Sequence, residues 1–245
     1  MFERLGQKLI LKLQLGPLVV SLDLITVIMS LVVSLILILL ALWLRRAIPR
    51  NPEAPMSRRL AFLSMAFEFF HESLLGGFSP ELAKRLFPLI TTLFLYVLFS
   101  NWISVVPKAE SPTQNLNVTM GLALMVYVLS HYYAIKTKGA RVHFRSYLEP
   151  YAFLLPMNII GDFGRTLSHG FRLFGNIFGG AILTTIVLGL TGKVIAAMPV
   201  VAPFAFVFGA GIGTFLNVWF GVFIGAIQAL VFALLASVYI RLMAT

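Results

Sequence analysis

The sequence predicts an all-α polytopic membrane protein of about five transmembrane helices plus one interfacial helix. Of its 245 residues, 59% are hydrophobic and only 11% charged, with a mean hydropathy of +0.94, a composition outside that of soluble domains. Several apolar runs reach the ~20 residues that a helix needs to cross a bilayer core. They are rich in Leu, Ile, Val, Phe and Ala without the alternation of a barrel strand, so the spans are helical. The net charge of +10 comes from Lys and Arg in short loops between spans, which orient a membrane protein; no nucleic-acid partner is implied. The chain has no cysteine, which excludes disulfides and thiolate metal sites.

All 245 residues read as a single membrane domain. Residues 1–16 scatter charges through an amphipathic pattern and lack an A-x-A site, so a short interfacial helix is expected in place of a cleaved signal. The first span is expected over residues 17–46, ending in a proline-rich loop with Arg45, Arg46, Arg50, Arg58 and Arg59 against Glu53. Across residues 57–76, Glu68, His71 and Glu72 share one face of an aromatic-rich helix expected to lie at the membrane surface. Residues 86–107 and 115–136 form a helical hairpin that returns to a second basic loop, with Lys136, Lys138, Arg141, His143 and Arg145. Both loops then lie on the cytoplasmic side, with the N-terminus outside and the C-terminus cytoplasmic.

No proline interrupts the chain between Pro156 and Pro199, and the stretch from Ala202 to Met243 carries only Pro203 near its start. Two long helices are expected, over residues 150–191 and 200–243. Each is about 60 Å long, against a hydrocarbon core of about 30 Å, so both are expected to be strongly tilted. Such a pair suits a protein lying alongside something curved.

Along the first of these helices, Asn158, Asp162, Arg165, His169, Arg172 and Asn176 recur at spacings of four and three. They occupy a sector of roughly 80° and about 27 Å of helix. Asp162 and Arg165 are placed for an ordinary helix ion pair. Arg172 is different: its nearest acidic residue on this helix, Asp162, is ten positions away. An arginine at that depth costs about 2.5 to 3.5 kcal/mol on insertion scales, so its anion must come from another helix, another subunit or a water-filled cavity. On the last helix, Asn217, Gly221 and Gln228 fall within about 40° of one another. Gly175 with Gly179, Gly209 with Gly213, and Gly221 with Gly225 make GxxxG pairs suited to close helix approach. No hydrolytic triad, metal cluster or phosphate loop occurs, so neither a cofactor nor ATP binding is expected.

RLFGN at residues 172–176, IQALVFALLASVYI at 227–240, LFLYVLFSNWISVVP at 93–107 and PTQNLNVTMGLAL at 112–124 together resemble subunit a of the F-type ATP synthases. The resemblance covers nearly all of the chain after the first span. It implies a non-catalytic, proton-translocating stator subunit in a bacterial plasma (inner) membrane. Its partners would be the rotating c-ring, the b subunits of the peripheral stalk and the lipid bilayer. Arg172 would face the ring carboxylate between two offset half-channels, flanked by Asn176 and Gln228. Positions where the family often carries proton-handling side chains are here Ala181, Gly221, Asn115 and Asn158. His169, acting with Asp162, is the expected substitute, because imidazole both accepts and donates near neutral pH. A sodium-translocating version of the same subunit is the alternative. An unrelated channel or transporter would call for internal repeats or broken midplane helices, and a passive scaffold would not call for a charged stripe.

Overall fold

The computed structural model describes residues 10–15, 18–46, 48, 58–106 and 109–244. The expected interfacial segment over residues 1–9, and residues 47 and 49–57 of the first basic loop, lie outside that set. Where the N-terminal segment is described, it is not helical. Ile10–Leu15 (β1) and Leu18–Asp23 (β2) pair as an antiparallel hairpin, with Leu15 opposite Leu18 and Ile10 opposite Asp23. The reason is period two: Leu11, Leu13 and Leu15 alternate with Lys12 and Gln14, Val19 and Val20 favour extended backbone, and Gly16-Pro17 separates the runs. The first helix therefore starts at Leu24, later than the expected residue 17.

That helix, α1 (Leu24–Arg45), is N-capped by Asp23, whose carboxylate accepts from the Thr26 amide and, at 2.9 Å, from the Thr26 hydroxyl. Next come α2 (Arg58–Leu75) and α3 (Pro80–Trp102), which has proline in its first turn, where the missing N–H costs nothing. Then come α4 (Leu116–Lys138), capped by Asn115, and the short α5 (Ala140–Ser146). The two helices meet at Gly139, whose φ of 84° is a conformation that side chains disfavour. Helix α6 (Leu155–Ala197) runs for 43 residues, about 65 Å at 1.5 Å per residue. A single 3-10 turn, Pro199–Val201, leads into α7 (Ala202–Val218), a π-helical segment (Trp219–Ile224) and α8 (Gly225–Ala244). Among the described residues, five stretches are long and apolar enough to cross a membrane: Leu24–Arg45, Pro80–Val105, Leu116–Lys138, Ala152–Ala197 and Pro199–Ala244.

Helix α8 packs against both α3 and α4, and α4 packs against α6. The core is the set of apolar side chains that meet there: Leu86, Ile90 and Val97 of α3, Val126 of α4, Leu173 and Ile177 of α6, and Phe232 and Ile240 of α8. Small residues on α8, Ala229, Ala233 and Ala236, let its neighbours approach closely. Helix α2 attaches through Leu74 and Leu75 and through the Phe70 and Phe94 rings, 4.8 Å apart, while its Phe62, Met65, Phe67 and Phe69 are exposed. Helices α6 and α7 form a long hairpin. A Cβ on Gly209 would come within 2.1 Å of the Thr191 side chain, and one on Gly213 within 2.7 Å of Leu188.

Candidate ion-translocation site

The face that α6 buries consists of Asp162, Thr166, His169, Gly170, Leu173, Ile177 and Gly180. The six-residue polar stripe is therefore not one uniform face but the border of the buried one. Asp162 and His169 point into the protein, Asn158 and Asn176 are half-buried, and Arg165 and Arg172 are exposed. Arg172 makes no hydrogen bond or ion pair among the described residues. Gly175 and Gly179 are exposed beside it, and a Cβ on either would meet nothing within 4 Å. Exposed Arg165 and Ser168 lie nearly in line with Arg172, and further round the helix Ile160, Phe163, Phe171 and Phe178 are all exposed.

Two polar regions lie on either side of Arg172 along α6. One is a cavity of about 170 Å³ near the 109–115 turn, lined by Ser104, Gln114, Ala181, Thr184, Asn217 and Gly221 among others. Its lining is hydroxyl, amide and apolar, without a titratable side chain. Ala181 and Gly221, two of the positions singled out above as neutral, open directly onto it. Asn217 is held there by donating to the Val105 carbonyl at 3.5 Å. The π-helical segment shapes the wall, since Gly221 fits against Ser104 and Val105 with no room for a Cβ. A π-turn holds one residue more than an α-turn, so Gln228 is rotated about 100° from its unbroken α-phase. Gln228 accordingly does not line the cavity with Asn217 and Gly221. It is half-buried on α8 with no hydrogen bond among the described residues.

The other region lies near the Lys136–Arg145 loop and is rich in titratable groups. Asp162, 5% exposed, is ion-paired with Arg165 and accepts a hydrogen bond from the Tyr147 hydroxyl. Tyr147 also contacts His131 Nε2 at 3.0 Å, while His131 Nδ1 lies 3.0 Å from the Tyr127 carbonyl oxygen. His143 packs edge-on against His131, with ring centroids 5.2 Å apart, and its buried Nε2 has no hydrogen-bond partner. Burial, reinforced by the charges of His131 and Lys138 and opposed by Asp162, holds the His143 imidazole below its ordinary value. Burial, and then the hydrogen bond to Asp162, push the Tyr147 phenol well above its ordinary value, so the hydroxyl keeps its hydrogen. Asn158 fixes the corner by donating to the backbone oxygens of Tyr147 and Glu149 at 2.9 and 3.3 Å.

His169 and Asp162, expected to act in one relay, make no hydrogen bond to each other. Seven residues separate them, about 10 Å along the axis, and each has other partners. His169 Nε2 lies 3.2 Å from the Phe232 carbonyl oxygen, its ring packs on Phe232 with centroids 3.9 Å apart, and its buried Nδ1 has no hydrogen-bond partner. Sequence reasoning missed Tyr147 and counted His143 only as a loop charge. The available signal was His131 four residues after Tyr127 in an otherwise apolar helix. It also missed Asp23, whose carboxylate reaches Asn115 at 3.4 Å and so brings a negative charge to a turn that lacks its own at that position.

The family model described as ATP synthase A chain matches residues 27–241. The chain is 33% identical to ATP synthase subunit a of Oceanobacillus iheyensis over 227 residues, covering 89% of each. It is 34% identical to ATP synthase subunit a of Priestia megaterium, covering 85% of this chain and 86% of the relative. It is 31% identical to ATP synthase subunit a of Bacillus subtilis, covering 89% and 90%.

Proposed function

The chain belongs to the ATP synthase A chain family, and we propose that it is the proton-translocating stator subunit of the membrane motor, with Arg172 set against the carboxylate of each passing ring subunit. Arg172 itself carries the reading. It is exposed and unpartnered among the described residues, on a flank where Gly175 and Gly179 leave room for a neighbouring helix. A guanidinium keeps its charge in a low dielectric, so it attracts a deprotonated carboxylate yet does not pass a proton. Asn176 and Gln228 extend the polar surface around it.

Arg172 lies nine residues from Ala181 at the cavity and ten from Asp162 in the titratable cluster. Ala181 and Asp162 are offset by about 28 Å along α6, with buried Leu173 between the two approaches. The cavity is the outer access path and the cluster flanks the inner one, where Asn158 and Arg165 line the approach. His169, three residues before Arg172, stands in the inner half and acts apart from Asp162. The Lys136–Arg145 loop and the C-terminus face the cytoplasm of a bacterial cell, and the N-terminus faces outward. The partners are the c-ring and the b subunits of the peripheral stalk.

The test is Arg172→Ala in the assembled complex. ATP-driven proton uptake by inverted vesicles is expected to fall about a hundredfold or more, as on removal of a preorganised charge partner. Pumping at the wild-type rate overturns the reading. The neutral lining of the outer cavity favours a second reading, in which hydroxyl and amide oxygens pass sodium. ATP-driven uptake of radiolabelled sodium that resists a protonophore would select it.

A further inference from the structure

We propose that His131, Tyr147 and Asp162 form a proton-holding relay at the inner mouth, in which the Tyr147 hydroxyl links the histidine that takes up a proton to the carboxylate that stabilises it. The inference rests on the direction of ion flow proposed above, with the Lys136–Arg145 loop on the inner side. It follows from counting hydrogens. The Tyr127 carbonyl oxygen only accepts, so His131 Nδ1, 3.0 Å away, carries a hydrogen. In a neutral imidazole the other nitrogen, Nε2, is then a bare acceptor. It faces the Tyr147 oxygen at 3.0 Å, and that hydroxyl has one hydrogen, directed at Asp162. The neutral chain of contacts is thus one proton short, because either His131–Tyr147 or Tyr147–Asp162 lacks a hydrogen.

One added proton completes it. A proton from inner water bonds to His131 Nε2, Nε2–H donates to the Tyr147 oxygen, and the Tyr147 hydroxyl donates to Asp162. Release reverses the single N–H bond, and no other bond changes. Tyr127 and His143 contact His131, and Arg165 and Tyr239 share its small cavity, with Lys138 beside His143. The charged side chains around the relay are Asp162, Arg165 and Lys138. His143 is held neutral, so it offers an uncharged edge to the imidazolium. Between His131, Asp162, Arg165 and Thr166 lies a space of about 20 Å³, enough for one water.

Inverted vesicles expose this mouth to the bulk, and ATP-driven pumping draws protons through it. The measurement is proton uptake per ATP hydrolysed, in wild type, Tyr147→Phe and His131→Gln, as a function of bulk pH. Both variants are expected to pump near the wild-type rate at about pH 6 and about tenfold slower at about pH 9, the range typical of a lost acid–base group. Added imidazole, a diffusible proton carrier, should restore the alkaline rate of His131→Gln. Rates unchanged at every pH, or lowered equally at every pH as a packing defect would lower them, overturn the relay. If one variant fails to copurify with the ring, the other carries the test. Wild-type vesicles that accumulate sodium instead of protons overturn the proton-motor reading and the relay with it. Proton-pumping wild type with flat variant profiles overturns the relay alone.

Discussion

Arg165 and Arg172 stand two turns apart on one helix, and their surroundings give them different roles. Arg165 has Asp162 three residues before it, so its charge is neutralised within the chain. Arg172 has no such neighbour: the spacing rules out a partner on α6, and no other helix supplies one among the described residues. The links of Asp162 to Tyr147 and of Tyr147 to His131 were not legible. They span 15 positions across the α5–α6 corner and 16 across the α4–α5 corner, where helical spacing carries no information. His143 supplies a pH prediction at this scale. Burial lowers its folded-state value, so the folded protein binds fewer protons than the unfolded chain below the ordinary histidine value of about 6.5. The stability it contributes is complete above that value and is lost as pH falls through it toward the folded-state value. The thermal midpoint of the detergent-solubilised complex is expected to drop on acidification from about pH 7 to about pH 5.5, and to drop less in His143→Gln. Equal drops in the two proteins would assign the acid sensitivity to other groups.

At the scale of elements, the long α6 was legible because an uninterrupted, proline-free run has no reason to stop. The N-terminal hairpin was not, since Leu18–Asp23 runs into the apolar first span and its period is too short to stand out. The π-segment was also hidden: its residues WFGVFI carry no proline, and it arises where Gly221 and Gly225 let the backbone settle against Ser104, Val105 and Asn101. Two adjacent glycines on α6 provide a test. A Cβ on Gly180 would lie 2.5 Å from Phe220, whereas one on Gly179 meets nothing within 4 Å. Gly180→Leu is expected to pry the π-segment from α6 and to lower the amount of folded subunit, at a cost of about 1 to 3 kcal/mol for overpacking. Gly179→Leu should leave the subunit folded but reduce the ring that copurifies with it. Quantifying both subunits in purified complexes separates the two effects, and equal ring loss without loss of folded subunit in Gly180→Leu would contradict this division.

For the molecule as a whole, composition made the membrane class and the five spans legible, because no other environment suits so apolar a chain. Which helix packs on which was not legible: α8 is central because its alanines admit α3 and α4, and many apolar helices carry alanines. The end of the bundle beside the 109–115 turn is tied together by Asn101, which donates to the Gly225 carbonyl at 2.8 Å and accepts from the Thr113 hydroxyl at 2.6 Å. Asn101→Leu removes both bonds, leaving the Thr113 hydroxyl only its contact with Ser111, so a loss of about 1 to 3 kcal/mol is expected, read as a lower thermal midpoint of the complex. An unchanged midpoint would mean that water takes over both bonds. The π-segment has a consequence for how the last helix is aligned. It acts as a rotational coupling between a half that shapes a cavity and a half that presents Gln228. Deleting one residue from it restores the α-period and turns Gln228 by about 100° while the cavity wall keeps its bearing. The two ends of this helix are therefore aimed independently, each at its own target.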